Sequence, residues 1–390
     1  MAEGVHMNNA ENYSKIVSAL RKEILGGKYL SPHSQFPSER ALARRFDVNR
    51  SVITRVLQDL SAKGFLVRKQ GKGTFLTAGA QRSGGAIGLI VPGVAYSEFF
   101  SLIVSSVSRL AQKEERTLLF GDISSRDPEV RVRQAKRFAE KLVADGAVGV
   151  LYQPLEFVRD TEKCNREIVS IFTKAKIPVV LVDCDIVKPP RRSEFDLVGI
   201  NNESAGGRLA ELLMEKGARN IHFLMHSDRS PNMHKRVNGV MGAIVSRGWK
   251  PSGWSCSHII DANPEDTEKI RRHIRRHRPD AIVCGTDMTA ALLKHTLEKI
   301  GVRVPDDILL AGIDGTKTSS IMSPQLTTIH QPCEQIAETA FYRLLRRIVN
   351  PNLPPTEFLL SAPLKERAST LRIAGPGKTK GRPKRKGARN

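Results

Sequence analysis

Arg40, Asn49, Arg50, Ser51, Thr54, Arg55 and Gln58 are hydrogen-bond donors lying along two short amphipathic runs. Donors in that pattern suit the base edges and phosphates of a nucleic acid. Helix-start signals frame both runs. Ser38 can cap a helix beginning at Glu39, with Pro37 just upstream. Asn49 can cap a second helix running to about Lys63 and stopped by Gly64. A short turn between them makes a helix-turn-helix. The second helix is expected to bury Val52, Val56, Leu57 and Leu60 at helical spacing. Asn49, Arg50, Ser51, Thr54, Arg55 and Gln58 then face outward, with no carboxylate until Asp59. Such a face suits a DNA groove.

Other elements must hold this face in place. Phe65 to Arg68 and Thr74 to Thr77 read as strands of a hairpin joined by Lys69-Gln70-Gly71-Lys72-Gly73. Glycines in that turn permit close approach to a phosphate or groove wall. A helix from about Asn12 to Leu25, with Ile16, Ala19, Leu20 and Ile24 inward, covers the other side. Residues 12–77 contain thirteen Lys or Arg against four Asp or Glu, an excess of nine positive charges on a small unit.

Over all 390 residues the formal net charge is +22, which fits a nucleic-acid partner better than an acidic small substrate alone. The chain is long enough for two or three domains. Cys164, Cys184, Cys256, Cys284 and Cys333 are scattered without Cys-x-x-Cys spacing, so neither a disulfide framework nor a zinc site is expected. No signal peptide or run of about 20 apolar residues is evident, and a cytoplasmic protein is expected.

Residues 78–85 read as a flexible joint. Beyond them, eight apolar strands alternate with amphipathic helices. The strands are Ala86 to Val91, Thr117 to Phe120, Ala147 to Leu151, Val179 to Asp183, Val198 to Ile200, Ile221 to Met225, Ala281 to Cys284 and Ile308 to Ile313. Helical runs are Phe99 to Glu115, Glu129 to Ala144, Asn165 to Lys174, Glu203 to Lys216, Lys235 to Arg247, Glu265 to Arg276 and Met288 to Ile300. This alternation predicts an α/β fold of parallel sheets covered by helices, in two lobes. Ligands of such folds sit at the carboxyl ends of the strands, which places the site in the cleft between lobes.

Two resemblances fit these readings. Phe36-Pro37-Ser38-Glu39-Arg40-Ala41-Leu42-Ala43, Val48-Asn49-Arg50, Leu60 to Gly64 and Gln70-Gly71-Lys72-Gly73-Thr74-Phe75 resemble the winged helix-turn-helix of GntR-family regulators. That resemblance implies DNA contacts from Arg40, Asn49, Arg50, Ser51 and Gly71, with Thr54, Arg55 and Lys72 beside them. Thr54 stands where the family usually has Arg, which removes one guanine-reading group from the face. The motifs Phe99-Phe100, Asp145-Gly146, Arg236-Val237-Asn238-Gly239, Thr286-Asp287-Met288, Val304-Pro305-Asp306-Asp307-Ile308, Gly312-Ile313-Asp314, Pro324 to Ile329 and Arg367-Ala368-Ser369-Thr370 resemble the periplasmic-binding-protein-like effector domain of LacI/GalR regulators. A GntR-type head on such a domain is similar in layout to arabinose repressors. The domains expected are 12–77 (winged helix-turn-helix), 78–85 (linker), 86–370 (effector domain) and 371–390 (basic tail).

The second resemblance implies a ligand site, with a sugar as the expected effector. Phe99 and Phe100 form its wall, Arg236 a forked donor, Thr286 a polar contact, Asp314 an acceptor for paired hydroxyls and Gln331 a hinge. Asp287 either caps the helix at Met288 or touches the ligand. Asp183-Cys184-Asp185 departs from the Asp-Arg common in the family. Trp249 and Trp254 are weak candidates for stacking.

His273 and His277 have chelating i, i+4 spacing but sit among Arg271, Arg272, Arg275, Arg276 and Arg278, so neither metal nor cofactor is expected. No nucleophile elbow or P-loop is present, and no enzymatic activity is expected. The tail from Lys378 to Arg389 holds seven basic residues and no acid. Its Lys380-Gly381-Arg382-Pro383-Lys384 core resembles an AT-hook, implying minor-groove contacts from Arg382, Pro383 and Lys384; a nonspecific basic tail is the plain alternative. The whole reading is a ligand-responsive DNA-binding regulator, a repressor rather than an activator, and a dimer because one winged helix reads only a half-site. Its rivals are a sugar-binding transport component and an architectural DNA-binding protein.

Overall fold

The structure, a computed structural model, describes residues 3–25, 28–29, 36–69, 72–77, 85–91, 93–94, 97–121, 123–125, 127–188, 190–225, 230–248 and 258–371. The linker (apart from Gly85), Gly71, Trp249, Trp254 and the basic tail beyond Leu371 lie outside these residues.

Three helices and a hairpin form the N-terminal head: α1 (Glu3–Leu25), α2 (Glu39–Phe46), α3 (Arg50–Ala62), β1 (Leu66–Lys69) and β2 (Gly73–Leu76). Ile16, Leu20, Ile24, Phe36, Leu42, Ile53, Val56, Leu57, Leu60, Phe65, Leu66 and Leu76 close its core. The sequence expectation for α3 needs one correction. Ile53, not Val52, occupies the fully buried position, and Val52 packs at the edge.

The chain divides into two compact units, each threaded by separate stretches of chain. The first contains the head, the residues up to Asn202, the start of the helix at Pro231 and Gln331–Ala362. Its sheet comprises β3 (Ile87–Ile90), β4 (Leu118–Gly121), β5 (Gly149–Tyr152), β6 (Val179–Val182), β7 (Asp196–Ile200) and β13 (Glu357–Leu360). All neighbours are parallel, in the order β13-β7-β6-β5-β3-β4. Most of these strands are apolar on both faces because helices cover both. On one side lie α5 (Pro128–Ala144) and α6 (Thr161–Lys174). α4 (Glu98–Lys113) packs against α12 (Cys333–Val349), which lies on β5, β6 and β7.

The second unit holds α7 (Asn202–Glu215, from Glu203), most of α8 (Pro231–Ser246), α9 (Thr267–His277), α10 (Asp287–Lys299) and α11 (Lys317–Ile321). Its strands are β8 (Ile221–Leu224), β9 (Ile259–Ile260), β10 (Ala281–Cys284), β11 (Leu309–Asp314), β12 (Thr327–His330) and β14 (Leu364–Lys365). Their order is β14-β12-β11-β10-β8-β9, parallel except for β14. The sequence pattern marks β3 to β8, β10 and β11, whereas β9, β12, β13, β14, α11 and α12 are found only in the structure.

A buried ion cluster fixes α12 in the first unit. Asp196 is fully buried and accepts from Arg343 Nε and Nη2 (both 2.9 Å), from Arg347 Nε and from the Thr356 backbone N–H (2.8 Å). Burial alone would raise the Asp196 pKa; these hydrogen bonds outweigh it and hold the carboxyl below its ordinary value. No helix among the described residues is long and apolar enough to cross a membrane.

Candidate DNA interface and effector-site residues

Ser38 caps α2, its Oγ accepting from the Ala41 N–H at 3.2 Å. α2 stops at Asp47, whose φ of 50° turns the chain into the next helix. Asn49 occupies the cap position of α3 but makes no side-chain cap bond, so its amide faces outward with Arg50, Ser51, Arg55 and Gln58. Arg40 and Lys72 are exposed as well.

Glu39 corrects the expectation that this face lacks a carboxylate before Asp59. It reaches across from the first turn of α2 and accepts from Arg50 Nε (3.0 Å), Thr54 Oγ1 (3.1 Å) and Arg68 Nη2 of the hairpin (3.0 Å). Partial burial pushes its pKa up; the bonds from Arg50 and Thr54 and the charges of Arg68 and Arg50 more than reverse this, and the net shift is downward. Glu39 therefore stays ionised and sets the direction of the Arg50 fork. Thr54 is half-buried, spending its hydroxyl on Glu39 and the Arg50 carbonyl. Arg55 is exposed but lies over the Tyr13 ring of α1, 5.1 Å from its centroid.

The residues expected to hold an effector fall at the carboxyl ends of the two sheets. In both units the first five strands run in the order second, first, third, fourth, fifth, so the order reverses between the first and third strands. Crevices form at such switch points. In the first unit, Phe99 and Phe100 lie in the opening turn of α4, after β3, with ring centroids 5.1 Å apart. Phe99 is buried in the core and Phe100 half-buried. Gln331, 2% exposed, follows β12.

In the second unit, Arg236 of α8 is nearly buried, and its Nη1 donates to the Gly285 carbonyl at 2.6 Å, beside Thr286. Two glycines allow this placement. A Cβ on Gly239 would fall 1.9 Å from the Glu203 carbonyl oxygen, and one on Gly206 would fall 2.1 Å from that of Arg236. α7 and α8 thus cross backbone to backbone. Thr286 caps α10, its Oγ1 accepting from the Thr289 N–H at 3.1 Å. Asp314 ends β11, half-buried, with a φ of 140°.

Asp287 neither caps α10 nor is exposed to a ligand. It is fully buried, accepting from Thr328 Oγ1 (2.6 Å) and the Thr316 N–H (3.0 Å), and it ties α10 to β12 and α11. Burial raises its pKa despite those bonds. His273 and His277 also have company that the sequence did not reveal. His222 of β8 is 1% exposed; its Nδ1 lies 2.9 Å from His273 Nε2 and its ring 4.7 Å from that of His258. Burial, then neighbouring imidazoles, depress His222 to about 3 and His273 to about 4.

Comparison with known proteins follows the same division. Residues 12–76 match the family described as bacterial regulatory proteins, gntR family, and residues 210–370 match the periplasmic binding protein-like domain. The HTH-type transcriptional repressor PurR of Klebsiella pneumoniae is 30% identical over 269 residues, covering 68% of this chain and 74% of that protein. PurR of Escherichia coli O1:K1 is 34% identical over 197 residues, covering 50% of this chain; the chain spans 56% of its length. Among solved structures, the regulator CcpA of Lactococcus lactis superposes with a TM-score of 0.62 at 18% identity, over 74% of this chain and 99% of that one. The regulator CelR in complex with cellobiose gives 0.61 at 18% identity, over 86% and 100%. A LacI family regulator from Enterococcus faecium with bound ribose gives 0.59 at 19%, over 74% and 99%.

Proposed function

Because the chain belongs to the family of PurR- and LacI-type transcription regulators and carries a GntR-type head, it is a DNA-binding transcription regulator, and we propose that it is a cytoplasmic repressor released or engaged by a small polyhydroxyl ligand. The observation that carries the ligand reading is the set Arg236, Thr286 and Asp314 at the carboxyl ends of the second unit's strands. A guanidinium, a hydroxyl and a carboxylate there offer the forked donors and paired acceptors that sugar hydroxyls require. Phe100, half-buried at the equivalent end of the first unit's sheet, offers an aromatic wall. Relatives of the same fold hold cellobiose and ribose, which supports the sugar class without naming the sugar.

The operator-reading face consists of Arg40, Asn49, Arg50, Ser51 and Arg55, flanked by Lys72. A palindromic operator needs two such faces, so the regulator acts as a homodimer. Exposed apolar side chains support a self-interface: Leu102 on α4, Phe120 on the edge strand β4, and Met241 with Val245 one turn apart on α8. The protein acts by binding alone.

Fluorescence anisotropy with a labelled palindromic fragment, titrated with mono- and oligosaccharides, tests this reading. One sugar should shift operator affinity by about 5- to 150-fold, the usual range of such coupling. Asp314→Ala should abolish the shift while leaving DNA affinity intact, and Arg50→Ala should do the reverse. Full sugar response in Asp314→Ala would remove that residue from the site.

A further inference from the structure

We propose that the first unit carries a divalent-cation site of the zinc class, formed by Glu156, Asp183 and Cys184 with the Gln153 amide oxygen completing it. One carboxylate or thiol atom from each of Glu156, Asp183 and Cys184 lies within 4.8 Å of the other two. Gln153 and Glu156 follow β5, and Asp183 and Cys184 follow β6, its immediate parallel neighbour. Consecutive residues of a strand point to opposite faces. Asp183 breaks that rule with a φ of 72°, so it and Cys184 present ligand atoms to one point. Gly199 on β7 makes room for the kink, since a Cβ there would stand 3.0 Å from the Asp183 carbonyl oxygen.

An independent observation comes from Gln153. Its side chain is 1% exposed and its amide nitrogen lies 3.9 Å from Cys184 Sγ, yet its Oε1 meets no donor among the described residues. A buried amide oxygen without a partner is destabilising, and a cation held by the adjacent thiolate and carboxylates would satisfy it. Asp185 does not compete for the ion. Its carboxylate is taken by Arg192 Nη1 (3.0 Å) and by the N–H groups of Ser193 and Val187 (both 3.2 Å).

The donor set selects the metal. One thiolate favours zinc and its thiophilic neighbours over magnesium or calcium, and three anionic ligands with one neutral oxygen fit a closed four-coordinate shell. On binding, the metal–sulfur bond forms and the Cys184 thiol proton passes to solvent, with no change of oxidation state. The site lies at the same carboxyl end of the first unit's sheet as Phe100 but uses none of the residues of the sugar reading, and it is measured by a different titration.

Cobalt(II) added to the full-length, reduced, chelator-treated protein tests the proposal. One equivalent per chain should produce the charge-transfer absorption of a cobalt–thiolate bond, release one proton per ion and be displaced by zinc. Cys184→Ser should lose the absorption. Glu156→Gln and Asp183→Asn should keep it but weaken cobalt binding at least about tenfold, on the scale known even for outer-shell changes. Circular dichroism in chelator should match the parent for each variant; if Cys184→Ser misfolds, the other two carry the test. Absence of the absorption in the parent protein, its persistence in Cys184→Ser, or unchanged affinity in both carboxylate variants would overturn the site.

Discussion

Glu39 shows how one carboxylate can organise a basic surface. It holds Arg50, Thr54 and Arg68 within hydrogen-bond reach, so the guanidinium at the start of α3 is held in one direction by the fold itself. Arranging a fork in advance lowers the ordering cost of using it. The imidazoles of the second unit give a different residue-scale consequence, and its sign follows from their depressed pKa values. Folded His222 and His273 stay neutral down to about 3 and about 4, whereas unfolded imidazoles take up protons below about 6.5. The unfolded state binds more protons in that window, so stability should fall as pH drops from 6.5 toward 4. Asp196, with its lowered pKa, contributes its loss only below the ordinary carboxylate range. Melting temperatures measured between pH 7 and pH 5 should therefore decline, and His273→Gln should flatten the decline. An unchanged slope in that variant would exclude His273 as a source.

At the scale of elements, the α7–α8 crossing leaves no room for a side chain. Gly239→Ala would drive a methyl into the Glu203 carbonyl, and the helices must separate. Urea unfolding should show a loss of about 1–3 kcal/mol, typical of overpacking. Effector response should suffer more than DNA binding, because Arg236 moves with α8. The same elements show what the sequence made legible. Ser38, Pro37 and Gly64 bracket the head helices by cap chemistry, which acts locally, and those helices were placed within a residue or two. Uniformly apolar strands such as Val179–Val182 were equally plain. α12 was not, although it is seventeen residues long. Pro332 gives it no side-chain cap, and Arg343 and Arg347 interrupt its apolar pattern because their partner, Asp196, is far away in sequence. Glu39 and Asp287 were misjudged for the same reason, since their partners come from other elements. Gln153 and Glu156 carried no local signal at all.

For the molecule as a whole, charge is the governing quantity. The formal net charge of +22 includes seven basic residues between Lys378 and Arg389. A chain ending at Pro376 should retain operator preference but show a shallower dependence of log affinity on log salt, by about 0.9 for each phosphate the tail neutralises. An identical slope would mean that the tail leaves DNA untouched. The threading of the units has a practical side for engineering. Both lobes are built from discontinuous stretches, so transplanting either into another regulator demands several breakpoints. The reading head looks exchangeable at one splice near residues 78–85, yet Val349 from the end of α12 joins its apolar centre, and Gly64 abuts Asn350. A chimera made at that splice inherits an unmatched seam unless positions 349 and 350 are grafted along with the head.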